Sequence, residues 1–292
     1  MFSKISAILK LTRIEHSIML VVAVIAAELI VGRGMLPNYG ILIFSLITPI
    51  FVSMGSFAIN DYFDIEVDKK NKKINRPIVN GRISLKEAFW IAMISFSIGV
   101  VSSFFINIYA FVIALIFALL AFLYSYKLKE KLLIGNIYIA LSMVIPFIYG
   151  NYVVVSTLNY PIVIISATIF MSGLGREIQG TIRDYEGDRK RNVHSLPYYI
   201  GKVPSGIIAA IMYFIAIILS IYLFYIKGPF NSNALYLAGI VLIDIGIVYI
   251  SLIFIKKKQH AKKYNLARNL GLGIMGLALL LYLISSILFI PI

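Results

Sequence analysis

Nine long apolar stretches divide this chain of 292 residues and restrict it to folds that are stable inside a lipid bilayer. A membrane-spanning helix needs about 20 consecutive apolar residues, because the hydrocarbon layer is about 30 Å thick. The stretches cover residues 16–32, 40–59, 87–107, 109–126, 132–155, 160–175, 204–226, 233–255 and 269–291. Backbone polar groups in lipid must be hydrogen-bonded within their own segment. We therefore expect an all-α integral membrane protein, a bundle of about nine transmembrane helices.

The composition agrees with this fold class. Hydrophobic residues make up 60% of the chain and charged residues 14%, whereas a soluble domain carries about 25% charged residues. The chain has no cysteine, which excludes disulfides and thiolate chemistry. The first apolar run is too long for a cleavable signal and lacks a small-residue cleavage pattern. Since no linker separates a soluble unit, we expect residues 1–292 to form a single transmembrane domain.

Basic residues are distributed asymmetrically between the connecting segments. With a cytoplasmic N-terminus, the inner segments would be 1–13, 60–86, 127–131, 176–203 and 256–268. These segments hold 25 of the 27 Lys and Arg residues, and only Arg33 and Lys227 fall outside them. The positive-inside rule predicts this asymmetry. We expect a multi-pass cell-membrane protein with its N-terminus in the cytoplasm, whose net charge of +14 reflects topology and not nucleic-acid binding.

Acidic residues are concentrated in two short segments. Residues 60–68 and 177–188 contain eight of the 13 Asp and Glu residues. The first segment reads N-D-Y-F-D-I-E-V-D, and the second contains D-Y-E-G-D. If the helix of residues 40–59 continues through residue 68, the three aspartates of the first segment share one face, as the two of the second do. Like charges stacked in this way destabilise a bare helix, and a divalent cation would compensate. The alternative is that they are solvated loop charges that balance neighbouring lysines.

Carboxylate and amide oxygens are the ligands that Mg²⁺ prefers, and the bound metal often bridges them to substrate phosphates. The predicted metal ligands are Asn60, Asp61, Asp64, Asp68, Asp184 and Asp188. We expect the two clusters to face each other and hold a diphosphate between them. Both would lie in cytoplasmic motif loops, at about 60–86 and 176–203, which places the active site at the cytoplasmic side.

Basic and aromatic side chains near these clusters are candidates for binding the substrate. Arg76 can offer a phosphate two parallel hydrogen bonds, and the fourth apolar stretch ends with Tyr-Ser-Tyr-Lys-Leu-Lys. The alternative for that ending is an interfacial aromatic belt with snorkelling lysines. The predicted substrate-binding residues are Arg13, His16, Arg76, Tyr124, Lys127, Lys129 and Arg183.

At these residues the chain resembles the UbiA family of intramembrane prenyltransferases. Residues 60–68 reproduce that family's N-D-x-x-D-x-x-x-D signature, and residues 184–188 its D-x-x-x-D signature. The resemblance covers essentially the whole chain, with the motifs after the second and sixth spans. One departure is that many members carry Y-x-x-x-K at the end of the fourth helix. Here Tyr124 is followed by Lys127 and Lys129, which leaves open which lysine binds the diphosphate.

The resemblance implies a Mg²⁺-dependent membrane prenyltransferase in which Asp64, Asp68, Asp184 and Asp188 are catalytic. The motif sequences look most like the archaeal branch, whose members form the second ether bond of archaeal membrane lipids. That branch implies geranylgeranyl diphosphate as donor and geranylgeranylglyceryl phosphate as acceptor. We also expect membrane lipid as a partner, and the sequence gives no evidence of an obligate protein partner. By position, we expect Lys127 or Lys129 to serve the donor diphosphate and Arg13 to serve the acceptor phosphate.

Two alternatives stay open at this point. An enzyme of the same family could instead prenylate an aromatic acceptor such as a quinone precursor or a porphyrin. A cation-coupled membrane transporter is the alternative from another class. Transporters place their ion-binding groups near the middle of the bilayer on broken helices, whereas the acidic residues here cluster at one face, so an enzyme is favoured.

Overall fold

The computed structural model describes residues 2–130, 133–190, 193–256 and 261–289, and this part of the chain is built from α-helices joined by turns. The helices are α1 (Phe2–Thr12), α2 (Ile14–Val31), α3 (Tyr39–Phe63), α4 (Ile65–Lys70), α5 (Leu85–Phe104), α6 (Ile108–Tyr126), α7 (Ile134–Val154), α8 (Tyr160–Lys190), α9 (Leu196–Ile200), α10 (Lys202–Tyr222), α11 (Ala234–Ile255) and α12 (Ala261–Ile287). Short 3₁₀ turns follow α6 at Leu128–Glu130 and α10 at Leu223–Tyr225. Within the described residues, nine helices are long and apolar enough to cross a membrane: α2, α3, α5, α6, α7, α8, α10, α11 and α12. The all-α fold and the nine candidate spans are confirmed.

The spans pack mostly against their neighbours in sequence and close into a bundle. The α3 helix packs against α2, α5 and α6, and α8 packs against α7 and α10. The last span, α12, returns to pack against α2 as well as α11. The outward faces carry large exposed apolar side chains, such as Trp90, Phe214 and Leu242. In a multi-pass membrane protein these side chains meet lipid, so the bundle has an apolar exterior and a closed ring of helices around its centre.

Side-chain caps mark where several spans begin. Asn38, Asn107 and Asn233 each accept a hydrogen bond from a backbone amide in the first turn of α3, α6 and α11, at 3.1, 2.9 and 3.0 Å. The α5 helix begins with a capping box between Ser84 and Glu87. These bonds satisfy amides that have no partner within the helix. The three asparagine caps lie at the end of the bundle opposite the acidic segments, and we call the end that carries residues 60–70 and 184–190 the motif end.

The acidic segments are mainly helical, and this corrects the prediction of motif loops at 60–86 and 176–203. The α8 helix runs for 31 residues to Lys190, well past the predicted end of its span. The α3 and α4 helices are nearly continuous, since the amides of Asp64 and Asp68 still donate to the carbonyls four residues earlier, at 3.0 and 2.8 Å. The loop of the first segment is limited to residues 71–84. The physical reason is that Arg, Glu, Gln and Lys are good helix formers, so a helix can leave the membrane without ending.

Close helix packing depends on small residues. A Cβ atom added to Gly206 of α10 would lie 2.3 Å from the carbonyl oxygen of Phe254 in α11. In α6, Ala110, Ala114 and Ala118 are buried. Small residues at such contacts let helix backbones approach closely, which is the main source of packing energy between helices in lipid.

Candidate active site

A cavity of about 750 Å³ lies between the spans. At the motif end it is lined by Arg13, His16, Ser56, Phe57, Asn60, Tyr124, Ser125, Arg176 and Glu177. Deeper residues are largely apolar, such as Ile139, Phe147 and Ile243. On α3 the lining extends from Thr48 to Asn60, a distance of about 18 Å at 1.5 Å per helical residue. The cavity therefore joins a charged mouth to a long apolar interior.

Asp61 is the most enclosed acidic residue of the first motif. It is 2% exposed, and its Oδ1 accepts a hydrogen bond from Arg13 Nη2 at 2.7 Å and another from Arg76 Nη1. Its Oδ2 is buried and has no hydrogen-bond partner. A desolvated carboxylate is stable only when it is paired, and two guanidinium groups supply that pairing. Arg13, which was predicted by its position in the sequence to serve the acceptor phosphate, therefore lies in contact with the first aspartate motif.

The other two aspartates of the first motif also have basic partners, and Asp68 shares Arg76 with Asp61. Asp68 pairs with Lys73 at 2.7 Å and lies 3.7 Å from Arg76 Nε. Asp64 accepts hydrogen bonds from Asn60 Nδ2 at 3.0 Å and from Lys129 Nζ. The motif side chains are thus arranged as the i, i+3, i+7 spacing predicts, and each one meets a basic residue from outside the helix.

Lys129, and not Lys127, reaches the acidic motif. Lys127 is exposed, and its Nζ lies 5.0 Å from the centre of the Tyr126 ring. Lys129 is turned inward by the 3₁₀ turn that follows α6. This turn packs closely on Gly135 at the start of α7, where an added Cβ would lie 3.1 Å from the Lys129 carbonyl oxygen.

Local backbone structure also positions the two arginines. Arg13 joins α1 to α2 in the left-handed conformation, with φ 46° and ψ 52°, which is uncommon for a residue other than glycine. Its guanidinium carbon lies 4.6 Å from the centre of the Phe57 ring. Arg76 is held by a loop whose Ile78 and Ile83 are buried in the core shared with α1, α3 and α5.

The second motif lies on the last two turns of α8. Asp184 accepts two hydrogen bonds from the preceding Arg183, at 2.8 and 2.6 Å, so this predicted substrate-binding residue contacts the second motif. Asp188 lies one turn further on, on the same face of the helix. Both motif helices contribute to the cavity mouth, with Asn60 from α3 and Glu177 from α8.

His16 and Tyr124, two of the predicted substrate-binding residues, also line the mouth. The His16 ring meets the edge of Phe57 at 5.2 Å. The Tyr124 ring stacks on Tyr138 of α7 at 4.2 Å, and Tyr124 has both Asp64 and Glu177 as charged neighbours. Tyr124 therefore lies between the two motif helices.

Arg176 and Glu177 are the charged residues of the mouth that the sequence prediction missed. They follow directly on the apolar stretch of residues 160–175, and no site role was predicted for them. A signal was present, because Glu177, Asp184 and Asp188 are spaced seven and four residues apart and share one helix face. Because α8 continues to Lys190, these three acidic residues form one row along the helix, and Glu177 at the start of the row lines the cavity.

The motif residues suit a hard divalent cation. Their donors are carboxylate and amide oxygens, which Mg²⁺ prefers, and Asp61 Oδ2 is a buried oxygen that still lacks a partner. In the described part of the chain, no three Asp, Glu or His side chains are already arranged around a common metal position. Asp61, Asp64 and Asp68 are each bound by a basic side chain, so metal binding at the first motif requires an exchange of partners.

Comparison with known proteins identifies the family. Residues 19–277 match the model of the UbiA prenyltransferase family. The chain belongs to this family. This UbiA-family enzyme is 31% identical to the digeranylgeranylglyceryl phosphate synthase of Archaeoglobus fulgidus over 276 residues, which is 93% of this chain and 94% of the relative. It is 35% identical over 216 residues to the enzyme of that name from Pyrococcus horikoshii, covering 73% and 76% of the two chains.

Solved structures agree with this assignment. A structure from work on digeranylgeranylglyceryl phosphate synthase in membranes matches this UbiA-family enzyme with a TM-score of 0.82 and 31% identity, covering 97% of this chain and 99% of the other. A UbiA homologue from Archaeoglobus fulgidus, bound to GPP and Mg²⁺, matches with a TM-score of 0.64 and 21% identity, covering 96% and 99%. At that identity the second match shows a shared fold. The family also settles the class of protein, a membrane prenyltransferase and not a transporter.

Proposed function

We propose that this enzyme transfers a geranylgeranyl group from geranylgeranyl diphosphate to the free glycerol hydroxyl of geranylgeranylglyceryl phosphate. The observation that carries this proposal is its similarity to digeranylgeranylglyceryl phosphate synthases over nearly the full length of both chains. The product would be the second ether bond of an archaeal membrane lipid. A cavity with a charged mouth and a long apolar interior suits a substrate with a diphosphate and a prenyl chain.

The donor diphosphate belongs at the motif end. Bound Mg²⁺, held by the motif carboxylates with Asn60 oriented by Asp64, would supply the positive charge that stabilises diphosphate as a leaving group. Lys129 and Arg76 already contact these carboxylates, so both are within reach of diphosphate oxygens next to them. Asp64, Asp68, Asp184 and Asp188 are the proposed catalytic set.

The apolar interior takes the prenyl chain and excludes water from the reacting carbon. The allylic C–O bond of the donor breaks, and its electron pair stays on the diphosphate oxygen. The glycerol oxygen then forms the new C–O bond and gives up its proton. The stacked rings of Tyr124 and Tyr138 border this region, where aromatic faces would stabilise positive charge that develops on the allylic carbons.

The motif end is proposed to face the cytoplasm. The basic segments 60–86 and 176–203 adjoin it, and the positive-inside rule places such segments in the cytoplasm. Soluble donor and metal ions would reach the motifs from that compartment, while the acceptor arrives from the surrounding lipid.

An acceptor panel tests this function against its nearest alternative. Purified protein is given geranylgeranyl diphosphate and Mg²⁺ with either geranylgeranylglyceryl phosphate or an aromatic acceptor, with EDTA in parallel. The proposal predicts the diether product from the first acceptor, no aromatic product and loss of turnover in EDTA that added Mg²⁺ restores. Prenylation of the aromatic acceptor alone would assign the enzyme to another branch of the family, and full activity in excess EDTA would overturn the metal mechanism.

A further inference from the structure

We infer that Arg176 and Glu177 form the binding site for the acceptor head group, with Arg176 on the phosphate and Glu177 on the reacting hydroxyl. This inference rests on the proposed function and assigns roles to two residues outside both aspartate motifs. Arg176 is a binding residue in this assignment, and Glu177 is a catalytic residue that accepts the hydroxyl proton.

The position of the pair in the cavity is the first argument. Glu177 and Asp244 are the only acidic side chains among the described residues that line the cavity. Asp244 accepts a hydrogen bond from Ser220 at 3.1 Å in the middle of α11, far from the motifs. Glu177 lies two helical turns before Asp184, which is about 10 Å along α8. It is thus displaced from the diphosphate site towards the interior, where the allylic carbon must lie.

Weak internal pairing is the second argument. Arg176 Nη1 lies 3.4 Å from Glu177 Oε1, and each side chain is about one quarter exposed, at 27% and 26%. By contrast, Arg13 and Arg76 make closer contacts with the enclosed Asp61. Arg176 can therefore turn to an incoming anion at little cost, because it gives up only a long contact. This is why we assign the acceptor phosphate to Arg176 and place Arg13 with the first motif.

The chemistry of the acceptor matches the pair. Its phosphate and its free hydroxyl sit on the same three-carbon glycerol unit, so they must be bound within a few bonds of each other. Adjacent guanidinium and carboxylate groups offer a donor for the phosphate and an acceptor for the hydroxyl. Tyr213 and Tyr124, which have Glu177 as a charged neighbour, flank the pair with aromatic rings.

In this assignment, Glu177 takes up the proton that the reaction releases. As the donor C–O bond breaks, the diphosphate keeps the electron pair and the glycerol oxygen bonds to the allylic carbon. The proton of the hydroxyl passes to a Glu177 carboxylate oxygen. A positioned general base contributes about a hundredfold or more to such a step.

A cycle of enzyme and acceptor variants tests the role of Arg176. Arg176→Ala should raise the acceptor KM at least tenfold and leave the donor KM within twofold. With geranylgeranylglycerol, which lacks the phosphate, wild type and Arg176→Ala should become equally poor. Arg268→Ala is the matched control, since this exposed arginine donates a hydrogen bond to its neighbour Asn269, and it should behave as wild type. An unchanged acceptor KM in Arg176→Ala, or an equal rise for both acceptors, would overturn the assignment.

Glu177→Gln keeps the size of the side chain and removes its ability to take the proton. We expect kcat to fall about a hundredfold, while binding of labelled geranylgeranyl diphosphate stays within twofold of wild type. Glu186→Gln, on an exposed residue of the same helix paired with Lys202, is the matched control. A kcat within threefold of wild type in Glu177→Gln would overturn the catalytic role, and so would a parallel loss of donor binding.

The proposed function fails separately from this inference. If wild-type enzyme makes no diether product from geranylgeranylglyceryl phosphate, the proposed function is wrong. If wild type makes it and the Arg176 and Glu177 variants match their controls, only the assignment of the head-group site is wrong.

Discussion

At the scale of single residues, the acidic motifs are enclosed by basic side chains drawn from distant parts of the sequence. Asp61 is bound by Arg13, 48 residues earlier, and Asp64 by Lys129, 65 residues later. Together these pairs form a network of ion pairs next to the cavity mouth. Charged groups near a membrane are stable only with partners, so the same contacts that stabilise the fold also place cations next to the proposed diphosphate site.

The two lysines after α6 give the sharpest prediction at this scale. Lys129→Ala should lower kcat/KM for the donor at least tenfold, because a hydrogen bond to a charged group is worth about 1.5–3 kcal/mol. Lys127→Ala should change it less than twofold, since that lysine is exposed. Steady-state kinetics with varied geranylgeranyl diphosphate measure both. A larger loss in Lys127→Ala than in Lys129→Ala would contradict the site geometry.

The aspartates themselves are tested by isosteric replacement. Asp64→Asn, Asp68→Asn, Asp184→Asn and Asp188→Asn should each lower kcat at least about a hundredfold, which corresponds to about 2.7 kcal/mol of lost transition-state stabilisation. Circular dichroism in detergent should show that each variant is folded. Near-normal rates in two of the four variants would contradict the catalytic role and favour the alternative that these aspartates are solvated charges.

At the scale of helices, the lengths of the apolar stretches predicted the membrane spans but not how far a helix continues outside the membrane. The nine spans follow from segment length alone, because the bilayer imposes it. The helical spacing of Asp61, Asp64 and Asp68 was also readable, since α3 and α4 continue almost without a break. The end of α8 could not be predicted from the sequence, because hydropathy shows where an apolar stretch ends and not where the helix ends.

The spacing of residues in the sequence also could not predict which basic side chain pairs with which aspartate. The three- and five-residue separations of Tyr124 from the two lysines left both as candidates. A 3₁₀ turn packed on Gly135 brings Lys129 to Asp64, and this contact depends on how α6 and α7 meet. The same holds for Arg13, whose left-handed backbone turns it back onto α3.

Close packing between α10 and α11 gives a prediction on stability. Gly206→Ala should lower the thermal unfolding midpoint in detergent, because its new methyl group would press on the Phe254 carbonyl, and overpacking costs about 1–3 kcal/mol. Gly273→Ala is the matched control, since nothing lies within 4 Å of its added Cβ, and helix propensity favours alanine by about 1 kcal/mol. A Gly206→Ala midpoint equal to or above that of Gly273→Ala would show that the two helices can separate at this point.

At the scale of the whole molecule, charged and apolar side chains are separated along the length of the helix bundle. Most charged groups collect at the motif end, while the deeper cavity lining and the outer surface are largely apolar. If each of the nine candidate spans among the described residues crosses the membrane, the helices before the first span and after the last lie towards opposite sides. The proposed orientation then puts the N-terminus and the motif end together in the cytoplasm.

A cysteine-free chain makes that orientation easy to measure. Single variants Lys72→Cys, in the loop after α4, and Lys227→Cys, in the connection before α11, can be labelled in intact cells with a membrane-impermeant maleimide. We expect labelling of Lys227→Cys alone, and labelling of both after the cells are opened. Labelling of Lys72→Cys alone in intact cells would reverse the orientation.

The most direct test of the account follows the oxygen of the new ether bond. Geranylgeranylglyceryl phosphate carrying oxygen-18 in its free hydroxyl is incubated with the purified enzyme, geranylgeranyl diphosphate and Mg²⁺, and the lipid product is analysed by mass spectrometry. Transfer of the prenyl group by cleavage of the donor C–O bond predicts a diether that retains the oxygen-18 label, with unlabelled diphosphate released. A diether without the label, or no diether at all, would contradict the account.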